Sequence, residues 1–256
     1  MRVTFASSPA PGRPENEDAV FQAGPLVGVL DGVTAPVGVA TGCVHTPAWY
    51  VRRLVSHLSA DAASLPDCLA TAISLAREDH GGQCDLSNPA TPAATVCLVR
   101  ATDRGFDYLI LSDTTLVVDR GDEVLALTDD RFARLDLPVV RADYFARKYE
   151  RTNQPGGYWV ANSVPEAAYQ ALTGSFPTGG ADGVRRAALL TDGVSALVDL
   201  YRRMDWPTLL DTLTRSGPAA LIEEVRRVEY AHTGPTTRWK RHDDATAALC
   251  TFTRAV

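Results

Sequence analysis

The spacing of apolar residues along this chain changes several times, and each change predicts an element. Val3 to Ala6 reads as a first strand, and Ser7 to Pro14 as a proline-broken loop that carries Arg13. Asn16 to Gln22 starts a second strand with Glu17 and Asp18 at its beginning, and the apolar run Pro25 to Leu30 gives a third that ends at Asp31. From Thr41 to Ala60, Trp49, Leu54, Val55 and Leu58 recur at helical spacing, and from Pro66 to His80 so do Leu69, Ile73 and Ala76. These two stretches predict a pair of core-covering helices. Gly81 to Pro92 is a loop punctuated by Gly-Gly and two prolines. Short β segments follow at Thr95 to Val99, Phe106 to Leu111, Thr115 to Val118 and Val124 to Leu127, with Asp113 in a turn among them. Connections this brief cannot cross over a sheet in parallel, so they predict an antiparallel meander.

The sharpest switch lies in AALLTDGVSALVDLY, Ala187 to Tyr201. An apolar run stops at Thr191, Asp192 and Gly193, after which Val194, Leu197, Val198 and Tyr201 take the i, i+3, i+4, i+7 spacing of a helix. An isolated Asp-Gly would read as a hairpin turn; the helical period that follows makes it strand, carboxylate, tight turn, helix. Between Asp129 and Pro165 periodicity weakens and basic residues accumulate: Arg131, Arg134, Arg141, Arg147, Lys148 and Arg151. That segment, with NQPGGYW (Asn153 to Trp159) as an exposed turn, is either a solvated insertion or a flap that meets an anionic substrate. Helical segments follow at Pro207 to Arg215 and Pro218 to Tyr230. A basic loop, Ala231 to Arg241, then leads to Asp243 and Asp244 ahead of the strand-like ATAALCTF. Strands before, between and after helical pairs, without regular alternation, favour α+β layers with antiparallel sheets.

Composition narrows the picture. The chain has 256 residues, 45% of them hydrophobic, which is enough for a full core. Acidic motifs spanning positions 16 to 244 would need both ends of the chain to build one site. That favours a single domain over 1–256, with a flap-like insertion at about 129–165. A net charge of -6 argues against a nucleic-acid surface. Five cysteines (43, 68, 84, 97 and 250) without a Cys-x-x-Cys pair argue against a zinc ribbon or a disulfide scaffold. No signal-peptide core or membrane-length apolar run is present, so the expectation is a cytoplasmic monomer without a membrane partner.

The candidate chemistry is carboxylate chemistry. Asp31-Gly32 and Asp192-Gly193 each end a buried strand. Glu17-Asp18 opens one strand, and Asp243-Asp244 opens another. Carboxylates delivered by strand ends from distant parts of a chain suit a hard divalent cation, which takes oxygen ligands.

The motifs NEDA (Asn16 to Ala19), LDGV (Leu30 to Val33), an SDTT turn at Asp113, TDGV (Thr191 to Val194) and DDAT (Asp243 to Thr246) come in an order that resembles the metal-dependent protein phosphatases of the PPM (PP2C-like) family, bacterial type. The resemblance spans nearly the whole chain. It implies a four-layer αββα sandwich, two antiparallel sheets flanked by helix pairs, with two Mg²⁺ or Mn²⁺ ions at one end and a third in many bacterial members. Carried over, Asp31 would bridge both ions and the Gly32 carbonyl would bind one. Asp192 and Asp243 would hold the first ion, Asp18 or Glu17 would act at the second directly or through water, and Asp113 would meet a third. Arg13, five residues before Asp18, would grip the phosphate, as a guanidinium can grip two phosphate oxygens at once. The implied activity is hydrolysis of phosphoserine and phosphothreonine by a metal-activated water. Alternatives are the same chemistry on a small phosphorylated metabolite, or an inactive relative that binds a phosphorylated partner.

The chain departs from the family after Gly32. Val33, Thr34 and Ala35 stand where glycines and, in many members, a histidine are usual, which leaves leaving-group protonation to water, His45 or His242. The SDTT turn lacks the arginine often found after its aspartate. Asp244 replaces a common asparagine, with solvent as its expected surroundings.

Overall fold

The computed structural model describes residues 1–138, 140–180, 183–232 and 240–252, with residue 142 described by its backbone alone. Among the described residues ten strands form two five-stranded antiparallel sheets. One sheet has the order β1 (Arg2–Ser8), β10 (Ala245–Thr251), β9 (Arg186–Leu190), β6 (Thr115–Asp119), β7 (Val124–Thr128). The other runs β2 (Asp18–Ala23), β3 (Leu26–Gly32), β4 (Ala94–Ala101), β5 (Gly105–Leu111), β8 (Leu172–Pro177). Helices α1 (Pro47–His57) and α2 (Leu65–Glu78) cover the second sheet, and α4 (Asp192–Asp199) and α5 (Trp206–Ala231) cover the first. The result is the αββα sandwich the resemblance implies.

Strand β4 shows why its sequence has no polar face. Val96 and Leu98 pack toward α1 and α2, while the alternate Cys97 and Val99 meet Leu116, Val118, Ala187 and Leu189 of the opposite sheet. A strand between two buried layers needs apolar residues on both faces, so period-two alternation disappears from the sequence.

Several boundaries differ from expectation for local reasons. The first helix does not begin at Thr41. Thr46 caps it, its hydroxyl accepting from the Trp49 N–H at 3.2 Å, and Pro47 takes the first helical position. Residues 41–46 are therefore loop. The four central β segments are not one meander. β4 and β5 pair in one sheet and β6 and β7 in the other, and the turn around Asp113 carries the chain between sheets, with Ser112 at φ +67°. The two late helical segments run together, kinked at Gly217 (φ +83°) before Pro218.

Residues 129–165 contain α3 (Arg141–Glu150) and a short 3₁₀ segment, Pro165–Gln170, follows; β8 after it has no counterpart among the strands expected from the sequence. Asn153–Trp159 is not simply an exposed turn. Asn153 and Tyr158 are buried, and the Asn153 side chain bonds both backbone groups of Val160 and the Asn162 side chain. Of the basic loop at 231–241, residues 233–239 lie outside the described residues. Among the described residues no helix is long and apolar enough to cross a membrane.

Candidate metal centre

The two sheets bring strand ends together at one edge of the sandwich. Asp18 opens β2 and Asp31 is the penultimate residue of β3, and the two are register partners in that hairpin. Asp192 starts α4 directly after β9, and Asp243 and Asp244 precede β10, the neighbour of β9. Two glycines let these segments close up. A Cβ on Gly32 would lie 2.7 Å from the Glu17 carbonyl and 3.1 Å from Pro47 Cβ, and one on Gly193 would lie 1.9 Å from the Asp244 carbonyl. Both Asp-Gly pairs therefore serve close approach rather than hairpin turns.

Asp18, Asp243 and Asp244 are buried, while Asp31 and Asp192 are partly so. Burial raises the Asp18 pKa to about 8, with the charges of Asp243 and Asp244 adding to the effect against hydrogen bonds from Thr246 and Thr191. Asp31 is likewise pushed well above the usual carboxylate range, first by burial and then by the charges of Asp192, Asp18 and Asp243, against the opposing field of Lys240. Like charges taken out of water and left together disfavour ionisation. Asp31 thus lies in the fields of Asp192, Asp18 and Asp243, and Asp18 in those of Asp243 and Asp244.

Side chains that the sequence does not advertise hold this group in place. Thr191, the residue before α4, does not cap its helix; its hydroxyl donates to Asp18 Oδ2 at 2.8 Å and accepts from the Thr246 N–H at 3.0 Å. From α5, the buried Glu229 accepts from the Asp243 N–H at 3.2 Å, and Arg226 donates to the Asp243 carbonyl at 2.7 Å. Lys240 pairs with the Asp243 carboxylate. Glu17 Oε2 accepts from the Thr34 hydroxyl at 2.5 Å, so Thr34 ties the segment after Gly32 to the start of β2.

The remaining candidates are placed differently. Arg13 is exposed on the 10–17 loop. Asp244 fastens that loop: Oδ1 accepts from the Ala10 N–H at 2.7 Å and Oδ2 from the Glu17 N–H at 2.6 Å. Its expected solvent exposure is therefore wrong, because two backbone donors need a buried acceptor there. Asp113 is partly buried beside the 129–165 segment, where its field, with that of Asp31, opposes the lowering of the Lys148 pKa by burial. A lysine of the basic insertion thus reaches the acidic edge. His242 bonds Glu229 at 2.9 Å, and His45 stacks on Trp49 among other cysteine and histidine side chains. A cleft of about 510 Å³ opens beside the insertion, lined by Arg131, Arg134 and Trp159 among others, and none of the carboxylates lines it.

The donor set fits divalent cations. Asp18 Oδ1 is buried without a hydrogen-bond partner, although the other oxygen of the same carboxylate is bonded. A buried acceptor left open in the field of other carboxylates is a position that a hard cation satisfies.

No protein-family profile and no curated protein matches the chain. Solved structures do. The PPM Ser-Thr phosphatase MsPP of Mycobacterium smegmatis, in complex with cacodylate, is similar over 97% of each chain at 20% identity and a TM-score of 0.58. The serine/threonine phosphatase Stp1 of Staphylococcus aureus is similar over 99% of this chain and 95% of its own, at 14% identity and a TM-score of 0.62. The catalytic domain of the serine threonine protein phosphatase PstP, in complex with two manganese ions, is similar over 97% and 96%, at 15% identity and a TM-score of 0.55. Both sheets, the helix layers and the length therefore agree, and the chain has the fold of the PPM serine/threonine phosphatases.

Proposed function

We propose that this chain is a divalent-cation-dependent phosphatase acting on phosphoserine and phosphothreonine monoesters of proteins. What supports the reading is that Asp31 lies in the fields of Asp192, Asp18 and Asp243, carboxylates of separate segments, and that Asp18 keeps one buried oxygen without a hydrogen-bond partner. The fold shared with MsPP, Stp1 and PstP supports it.

Asp31, Asp192 and Asp243 would hold one Mg²⁺ or Mn²⁺, and Asp31 with Asp18 or Glu17, directly or through water, a second; the Gly32 carbonyl would bind one of the two, and Asp113 is the candidate for a third. Such a cation pair, when bound, supplies Lewis acidity that lowers the pKa of water and neutralises phosphoryl charge. The chain's own groups do the rest. Arg13 binds the phosphoryl oxygens from an exposed loop whose ends Asp244 fixes. Thr191 and Glu229 hold Asp18 and the Asp243 backbone in position. Lys240 and Lys148 add positive charge facing the site, which favours an anionic ester over a neutral one.

Purified protein should release phosphate from p-nitrophenyl phosphate and from phosphoserine or phosphothreonine peptides when Mn²⁺ is added, and lose this activity in EDTA. Asp192→Ala should abolish turnover. Mn²⁺-dependent turnover surviving that change would remove the assignment, and activity on small phosphometabolites alone would replace the substrate class.

A further inference from the structure

Away from the carboxylates, two loops at one end of the α1–α2 pair bring together Cys43, His45, His80 and Cys84. One potential ligand atom from each lies within 4.8 Å of all the others. The sulfurs of Cys43 and Cys84 are 3.0 Å apart, and His45 Nδ1 lies 3.6 Å from the first and 3.5 Å from the second. With zinc bond lengths of about 2.3 Å to sulfur and 2.0 to 2.1 Å to nitrogen, a tetrahedral site has S···N edges of about 3.6 Å and an S···S edge of about 3.8 Å. The nitrogen-to-sulfur edges already match, and the two sulfurs need to part by less than about 1 Å.

His80 supplies an independent observation. It is 3% exposed, its Nδ1 bonds the Ala76 carbonyl at 2.9 Å, and its Nε2 is buried with no hydrogen-bond partner. An N–H at Nδ1 given to a carbonyl leaves the lone pair on Nε2. A metal-binding histidine is oriented in this way by its second nitrogen. His45 and Trp49 pack against the His80 ring, at 5.2 and 4.8 Å between centroids, so ring reorientation would not rescue Nε2 with water.

We propose that Cys43, His45, His80 and Cys84 form a structural Zn²⁺ site. Four protein ligands close the coordination shell, which leaves no position for substrate and makes the site structural rather than catalytic. Binding converts two thiols to thiolates and releases two protons, so Zn²⁺ and two thiolates give a neutral centre. The His45 N–H donates to Cys43 Sγ at 3.4 Å, a contact that a metal-bound thiolate would accept. The backbone is shaped for the approach. Gly81 and Gly82, at φ +61° and +75°, turn the chain after α2 so that Cys84 returns to His80. The Asp85 N–H donates to the Gly42 carbonyl at 2.7 Å, which clasps the two loops beside the cluster.

The site would pin the 33–46 loop to the end of α2. That loop leaves Gly32 and delivers Pro47, whose Cβ sits against Gly32. The brace thus supports the acidic edge without belonging to it.

The test is the metal content of untagged, full-length protein after dialysis, by mass spectrometry, with Co²⁺ as a spectroscopic probe. One zinc per chain is expected, as are the visible bands of tetrahedral Co²⁺ with thiolate-to-metal charge transfer. C43S and C84S should reduce zinc to near none, and H80Q should release it faster to a chelator. The double variant D31N/D192N should lose Mn²⁺ binding yet keep its zinc, which separates this site from the proposed phosphatase centre. Wild-type protein without zinc and without the cobalt bands would overturn the proposal, whatever the variants do. A Cys43–Cys84 disulfide in peptides from unreduced protein would overturn it as well.

Discussion

Asp244 shows how one side chain can decide the geometry of a site it need not enter. Its two oxygens accept from backbone donors seven positions apart, Ala10 and Glu17, and so set the ends of the loop that carries Arg13. Truncation would strand both N–H groups. Asp244→Ala should therefore cost about 1 to 3 kcal/mol in urea unfolding. It should also raise KM for a phosphomonoester more than it lowers kcat, because the loop rather than the carboxylate cluster comes loose. An unchanged KM would show that Arg13 does not depend on this fastening. The residue is legible in the sequence as an acid next to an acid. Its partners are not, since they lie 227 and 234 positions away.

Among the elements, the β9–α4 junction is the most constrained. Strand β9 must end where β10 begins, and the Asp244 carbonyl occupies the space that a side chain at 193 would need. Gly193→Ala puts a methyl 1.9 Å from backbone oxygen, which no rotamer relieves. The expected outcome is loss of soluble folded protein, or a midpoint lowered by overpacking of about 1 to 3 kcal/mol or more, read by thermal denaturation. Wild-type stability in that variant would mean that the junction is looser than its distances imply. The strand–carboxylate–glycine–helix order was readable because an apolar run gives way there to a helical period. The insertion at 129–165 was less so: its basic residues were plain, but only α3 turns Lys148 toward Asp113 and Asp31.

For the whole molecule, the buried carboxylates link stability to pH and to cations. In metal-free protein Asp18 has a folded pKa of about 8 against an ordinary 3.8. The folded chain then holds a proton that the unfolded chain releases between those values, so folding takes up a proton and stability falls as pH rises through that window. Asp31 is shifted in the same direction. Thermal midpoints in EDTA should therefore decline from about pH 4 toward pH 8. Asp18→Asn should flatten the decline, and saturating Mn²⁺ should stabilise the folded form most at the alkaline end. An unaltered slope in the Asp18→Asn protein would show that the group is not linked to folding in this way.

The apolar pattern alone marks the strands, the helical segments and the α+β class, because buried strands and Asp-Gly junctions each leave a local signature within a few residues; the αββα layer order comes from the family resemblance. The sequence also marked the carboxylates and suggested the phosphatase resemblance. It did not show that the β segments around Asp113 divide between two sheets, since strand pairing is a long-range choice. It did not reveal that Thr191, Arg226 and Glu229 support the acidic edge. Cysteine spacing also missed the Cys43, His45, His80 and Cys84 cluster, whose halves sit on separate loops and meet only because α1 and α2 pack side by side. Local propensity acts along the chain, whereas these contacts exist only once buried surfaces have chosen their partners, and that choice belongs to the tertiary structure.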